Sequence, residues 1–407
     1  MKVLQINCVY GKGSTGKITR DIHLTLLKNG IDSYVCYGRG ELVEDKNIVC
    51  ISSDLASRTR RIISMIDGMP YRFTKWTNLK VEKEIKKIQP DIVHIQCING
   101  FVVDIYRLLD YLKKNNIPTI ITLHAEFMYT GGCGYALDCN QWIDGCKKCV
   151  RLKAGLGVIG IDRVNKNYNL MNQAIENFGN LTIVGVSDWI SRRALQSRVM
   201  RGCNVTTIHN GIDTQNIFHY RVAKKIYTKY QIISNRKIIL SVVPNLESDL
   251  KGGKLIMDIA YKMESYQFVV VGAREKVKNK PDNMVIIPYT ESQIELAEIY
   301  SAADVFVIGS KMDNYPTVCI EANSCGTPVV GYDVGGVSET IFPGMGEVVP
   351  YGDILALEEK IKEWIDKKKV ISRSILKDIE WRNSKERMAK EYMSLYREVL
   401  KKSRSSV

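Results

Sequence analysis

Short apolar runs rich in β-branched residues alternate with helical patterns in two separate series along these 407 residues. In the first series the strand-like runs are KVLQINCVY, DSYVCYG, DIVHIQ, PTIITLH and LTIVGVS. Helical patterns run from Lys17 to Asn29, near Glu82 to Ile88, near Asp104 to Asn115, near Asp162 to Asn177, and onward from Asp188. The second series starts at Lys237 with KIILSVV and continues through QFVVVG, NMVIIP, DVFVIG and TPVVGYD, with helices after Gly253, from Glu291 and around Thr317 to Ser324. Strand and helix in strict alternation is the rhythm of parallel βαβ units. The fold class this predicts is α/β: two tandem Rossmann-like, doubly wound domains. In HNGID, Asn210 and Gly211 supply the turn chemistry expected where the chain changes direction. The first domain is thus residues 1–205, with an irregular Cys-rich insertion at 129–150, and the second is residues 206–384. A last helical segment at 385–407 carries Met388, Tyr392, Leu395, Tyr396 and Leu400 at helical spacing. Periodicity does not say which domain it packs against.

Open parallel sheets bind ligands beyond the carboxyl ends of their strands, so two facing domains imply a cleft between them. The segments in that position are Gly11 to Lys17, His124 to Thr130, Pro244 to Lys254, Ser310 to Glu321 and Asp333 to Glu339. In GKGSTGKI the amides of Gly13, Ser14, Thr15 and Gly16 open a helix and can receive a phosphate or sugar hydroxyls; equally, the glycines can serve only a tightly packed turn. Gly11, Gly16 and Lys17 fit a Walker A pattern, but Ile18 stands where a Ser or Thr must reach magnesium, which weakens the competing reading of a P-loop ATPase. His124 ends the strand PTIITLH, where functional side chains concentrate in such sheets. Lys251 lies between a strand and a helix, suited either to ligand phosphates or to plain solvation.

The most informative string is DNYPTVCIEANSCGTPVV. Asp313 falls before a helix that begins near Thr317. The free amides around Asn314, Tyr315, Pro316, Thr317 and Val318 can hold a diphosphate, while Glu321, one turn inside, can bind a diol. The bland alternative for Glu321 is a carboxylate placed to suit the helix dipole.

Eleven cysteines without an export signal argue for reduced thiols or a metal site rather than a disulfide framework. Cys133, Cys139, Cys146 and Cys149, spaced C-x5-C-x6-C-x2-C, either close a tetrahedral zinc site or stand unliganded, with redox pairing the third reading. The net charge of +14 suits nucleic acid, anionic lipid or phosphorylated small molecules. Its even spread, without any zinc-finger, RRM-like or helix-turn-helix signature, argues against nucleic acid. RTRRIISMIDGMPYRFTKW, from Arg58 to Trp76, interleaves arginines with Ile62, Ile63, Met65, Ile66, Met69, Phe73 and Trp76. That pattern suits either an anionic membrane surface or a core helix with a solvated basic edge. The chain start shows no signal peptide and no apolar stretch long enough to span a bilayer, so a cytoplasmic location is expected.

Taken together, these residues resemble glycosyltransferase family 4, the retaining GT-B enzymes. The resemblance rests on the acidic-x7-acidic element Asp313 to Glu321 followed by ANSCGTPVVGYDVGGVSE, on HNGID, on Lys251–Gly252, and on the GSTG segment near the start. TLHAEFMYTGGCGYALDCNQWIDGCKKC resembles the capsule and colanic-acid branch. The resemblance implies a nucleotide-sugar donor, with a UDP-sugar as the default, and a lipid-linked oligosaccharide acceptor at the inner face of the membrane. It implies a metal-independent, retaining transfer that needs no cofactor. Glu321 would bind the nucleotide ribose, Asp313 the transferred sugar, and the 315–318 amides with Lys251 the diphosphate. His124 would lie near the sugar, and Gly13 to Gly16 beside the donor phosphates or the acceptor. The last helix would cross back to the first domain. Two positions depart from the family pattern: Asp313 where Glu is commoner, and Asn245 where an Arg usually precedes the lysine by six positions. Arg274, after QFVVVG, is the candidate to replace that cation. A non-catalytic sugar-nucleotide-binding protein and a sugar epimerase of the same fold are the other readings.

Overall fold

The computed structural model describes residues 1–72, 75–233, 235–273, 277, 279–367 and 373–405. It separates into two compact units, Met1–His209 with Met388–Val407, and Asn210–Arg387.

In the first unit a parallel sheet of seven strands has the order β3-β2-β1-β4-β5-β6-β7. The strands are β1 (Lys2–Asn7), β2 (Asp32–Tyr37), β3 (Ile48–Cys50), β4 (Ile92–Ile95), β5 (Thr119–Leu123), β6 (Leu181–Gly185) and β7 (Asn204–Thr207). The connecting helices are α1 (Gly13–Lys28), α2 (Asp54–Asp67), α3 (Lys75–Ile88), α4 (Ile105–Lys114), α5 (Leu152–Leu156), α6 (Val164–Ile175) and α7 (Asp188–Gln196). Side-chain oxygens of Ser53, Asp104 and Ser187 cap α2, α4 and α7, each accepting a backbone N–H that the first turn leaves without a helical partner. Strand order reverses between β1 and β4, which opens the crevice where ligands bind in such sheets.

The second unit repeats the plan with six parallel strands in the order β10-β9-β8-β11-β12-β13. They are β8 (Ile238–Val242), β9 (Gln267–Val271), β10 (Met284–Ile287), β11 (Val305–Ile308), β12 (Val329–Tyr332) and β13 (Gly346–Val349). Its helices are α8 (Lys224–Lys229), α9 (Gly253–Lys262), α10 (Gln293–Ala302), α11 (Thr317–Ser324), α12 (Val337–Thr340), α13 (Ile354–Asp366) and α14 (Arg373–Arg382). Here the order reverses between β8 and β11.

The final helix α15 (Lys385–Ser405) lays Met388, Tyr392, Leu395 and Tyr396 into the core of the first unit, against Val3, Ile18, Ile22 and Ile92. Polar pairs pin the contact: Tyr396 Oη lies 2.8 Å from His94 Nδ1, and Tyr392 Oη 2.9 Å from Thr122 Oγ1.

Three sequence expectations change. The first helix begins at Gly13 rather than Lys17, so Gly13 to Gly16 form its opening turn. Strand β3 and strand β7, both short, have no counterpart in the pattern read from sequence. The stretch from Arg58 to Trp76 is not a core helix. Instead, α2 buries Ser57 and Ser64 and turns Ile62, Ile63 and Ile66 outward at 61%, 47% and 60% exposure. Trp76 is also exposed, Met69 is buried, and Phe73 lies outside the described residues.

Candidate functional site

The loops that follow β8 and β11 flank the reversal of strand order in the second unit, and they meet there. Lys251 belongs to the first loop and Asp313 to the second, and their side chains form an ion pair with Nζ 2.6 Å from Oδ2. Both groups are partly open to solvent. Backbone contact holds the loops in register, Lys311 N donating to Leu250 O at 3.0 Å. Gly252 makes this closeness possible: its φ of +75° is left-handed, and a Cβ there would fall 2.2 Å from the Gly309 carbonyl. The loop after β12 closes the third side, Gly336 N donating to Asp313 O at 2.9 Å. Asn245 turns its Oδ1 back to accept Glu247 N at 2.7 Å, so it shapes the loop and adds no positive charge. Arg274 lies outside the described residues.

From Asp313 the chain passes through buried Asn314, Tyr315 and Pro316 into α11. Pro316 precedes Thr317 and Val318, no side chain caps the helix, and its first turn holds no acidic residue. Its leading amides therefore present positive character at the end nearest Asp313 and Lys251. The Tyr315 ring packs inward at 5% exposure, and burial pushes its hydroxyl up to about 12, so its contribution at the loop is its backbone. Glu321 is 8% exposed, and its Oε2 accepts the hydroxyl of buried Tyr300 on α10 at 3.0 Å. A buried carboxylate needs such a donor. Asn383 steadies the same helix from α14's end, its Nδ2 donating to Ile320 O at 3.3 Å and Ser324 Oγ at 3.1 Å.

In the first unit His124 directly follows β5, one strand from the reversal between β1 and β4. Its Nε2 lies 2.9 Å from Gln96 Oε1. Gln96 donates its Nε2 to Gln5 Oε1 at 3.2 Å, which leaves its oxygen facing the histidine, so His124 Nε2 carries the proton. Burial holds the His124 pKa down to about 4, and the ring is neutral at neutral pH. At the start of α1, Gly13 and Ser14 are exposed at a helix end without a side-chain cap, Thr15 is partly exposed and Gly16 is buried. Gly16 answers a packing demand, since a Cβ there would sit 3.0 Å from the Val9 side chain and 3.3 Å from Gly11 N.

Sequence reading missed three groups here. Tyr300 lies 21 residues from Glu321, and no local spacing connects them. Glu126, fully buried just past His124, accepts Arg193 Nε at 2.8 Å and Ala136 N at 2.6 Å. His94 pairs with α15 as described above; a histidine inside the apolar run DIVHIQ was the available signal.

Comparison with known proteins follows the same division. Residues 16–216 match the model described as "Glycosyltransferase Family 4", and residues 224–379 match "Glycosyl transferases group 1". The putative colanic acid biosynthesis glycosyl transferase WcaC of Escherichia coli K12 is 21% identical over 97% of this chain and 99% of its own length. Among solved structures, sucrose-phosphate synthase from Thermosynechococcus elongatus superposes with a TM-score of 0.69 at 16% identity, over 98% of each chain. HepE of Anabaena in complex with UDP-glucose superposes with a TM-score of 0.62 at 13% identity, over 100% of each chain.

Proposed function

This chain is a glycosyltransferase of family 4 with the GT-B fold, and on that premise we propose that it moves a sugar from a nucleotide diphosphate to a lipid-linked surface polysaccharide with retention of configuration. The observation that carries this reading is the Lys251–Asp313 pair, 2.6 Å apart where the β8 and β11 loops meet, beside the uncapped start of α11.

Breaking the bond between sugar and diphosphate leaves negative charge on the departing phosphate and oxocarbenium character on the sugar, so fixed positive groups at the phosphate lower the barrier. Lys251 and the leading amides of α11 supply them, and the transfer then needs no divalent ion. Without donor, Asp313 holds Lys251 in position. With donor bound, the diphosphate takes over the ammonium, and the Asp313 carboxylate is freed for the sugar's hydroxyls. Glu321, oriented by Tyr300, accepts from the ribose diol. His124, neutral and fixed by Gln96, can donate or accept a hydrogen bond without adding charge. Attack by the acceptor on the face the phosphate leaves gives retention, with the phosphate taking the acceptor proton. A UDP-sugar is the default donor, the nucleotide seen with HepE. Polysaccharide assembly as the setting follows the colanic-acid relative.

Association with an anionic membrane is part of the proposal. Ile62, Ile63 and Ile66 face outward on α2 beside the exposed Arg58 and Arg61. Exposed Ile159 and Ile161 lie along the same ridge, their amides bonded to Met65 O and Ile66 O. No helix among the described residues is long and apolar enough to cross a membrane.

The test is release of nucleoside diphosphate from nucleotide sugars, with and without acceptor. The wild-type chain is expected to turn over, and Lys251→Ala to be slower by about 100-fold or more with its melting temperature little changed. A Lys251→Ala variant with near-wild-type turnover overturns the assignment of the site.

A further inference from the structure

Between Tyr129 and Arg163 the chain forms only one short helix, α5, yet it buries Ala136, Trp142, Cys146 and Val158. Irregular segments longer than about 12–15 residues inside a compact domain ordinarily serve a function or need fastening. This one carries no disulfide: Cys133, Cys139, Cys146 and Cys149 are all free. The four thiols line a single small cavity of about 30 Å³, walled also by Trp142 and Leu156. That space suits one water or one metal ion.

The surroundings are built for sulfur. Gly131 N donates to Cys146 Sγ at 3.2 Å, the kind of outer contact that steadies a metal-bound thiolate. Trp142 Nε1 holds the Cys139 carbonyl at 2.7 Å, and Cys149 N is anchored on Asp162 Oδ2 at 2.8 Å.

We propose that Cys133, Cys139, Cys146 and Cys149 bind one structural zinc ion as four thiolates, fastening the insertion that follows β5. Four Zn–S bonds form, four S–H protons pass to solvent, and no electron is transferred. The resulting local charge of −2 is met in part by Lys148, which also lines the cavity. Four thiolates leave no open position on the ion, so its role is structural. Among the described residues, the only His, Cys, Asp and Glu ligand atoms that gather in threes within 4.8 Å lie outside this insertion. Binding therefore draws the sulfurs inward, toward Zn–S bonds of about 2.3 Å. The fastening extends toward His124. Ala136 N bonds Glu126 Oε2 at 2.6 Å, Arg193 pairs with the same carboxylate, and Arg193 stacks 4.4 Å above the Trp142 ring.

The test uses the full chain, purified without chelator and measured for bound metal. About one zinc per chain is expected, with all four cysteines found as thiols when alkylated under denaturing conditions. Exchange of the zinc for cobalt(II) is expected to give thiolate-to-cobalt charge-transfer absorption and the d–d bands of a tetrahedral site. Cys146→Ser should lose the ion and lower the melting temperature, whereas Cys203→Ser, outside the cluster, should keep it. Folded wild-type protein that neither holds nor takes up zinc overturns the proposal, as does iron with acid-labile sulfide, a pair of disulfides, or full zinc occupancy in Cys146→Ser. If Cys146→Ser does not accumulate in folded form, the cobalt spectrum of the wild-type chain decides.

Discussion

Lys251 reaches Asp313 because two loops from strands on either side of a sheet's reversal touch backbone to backbone at Gly252 and Gly309. The pairing of types was legible in the sequence, since a lysine before one helix and an acidic residue before another each stand beyond a strand. Their contact was not, because it depends on β8 and β11 being neighbours in space, the two side chains standing 62 positions apart in the sequence. Tyr300 is the same kind of case. It sits in a different helix from Glu321, its own hydroxyl proton held tightly by burial and then by the Glu321 charge. In Tyr300→Phe the carboxylate loses a buried donor, and with it the orientation that the proposed ribose contact needs. KM for the nucleotide sugar is expected to rise about three- to tenfold with kcat little changed, as initial-rate kinetics would register. An unchanged KM would show that Glu321 is positioned by other contacts.

Among the elements, those with long apolar runs or strong caps were readable, as with β5, β8, β11 and the serine-capped α7 and α10. The short strands β3 and β7 were not, since edge strands of three and four residues carry too little pattern to separate from loop. The orientation of α2 was hidden for another reason: periodicity reports an apolar face and cannot say whether that face meets core or solvent. Helix α15 and strand β4 meet through buried histidine chemistry. Burial holds His94 down to about 3 and His124 down to about 4, against 6.5 for an unperturbed histidine. Below pH of about 6.5 the unfolded chain takes up protons at both positions while the folded chain does not. Their contribution to stability is therefore fully present above that value. It declines as pH falls toward about 4, at about 1.4 kcal/mol per pH unit for each histidine. Thermal melts between neutral pH and pH 5 are expected to fall more steeply for the wild-type chain than for His94→Gln. Parallel profiles would remove His94 from this account.

For the whole molecule, the sequence pattern disclosed two doubly wound units and a final helix that periodicity could not place and the family resemblance assigned to the first domain; the fold lays that helix, from Met388 onward, in the first unit. The proposed lipid binding rests on the outward isoleucines of α2. Flotation with phosphatidylglycerol vesicles should retain the protein at low salt and release it at high salt. Ile62→Ser with Ile66→Ser should weaken retention roughly tenfold, whereas retention indifferent to both changes would place the contact elsewhere. The reading as a nucleotide-sugar enzyme stands or falls on donor recognition in the second unit. The most direct measurement is the melting temperature of the wild-type chain and of Glu321→Gln with UDP-, GDP-, ADP- and CMP-sugars. At least one donor class should raise the wild-type melting temperature, and that rise should shrink sharply in Glu321→Gln. No stabilisation by any of the four, or equal stabilisation of both chains, would contradict the proposed site.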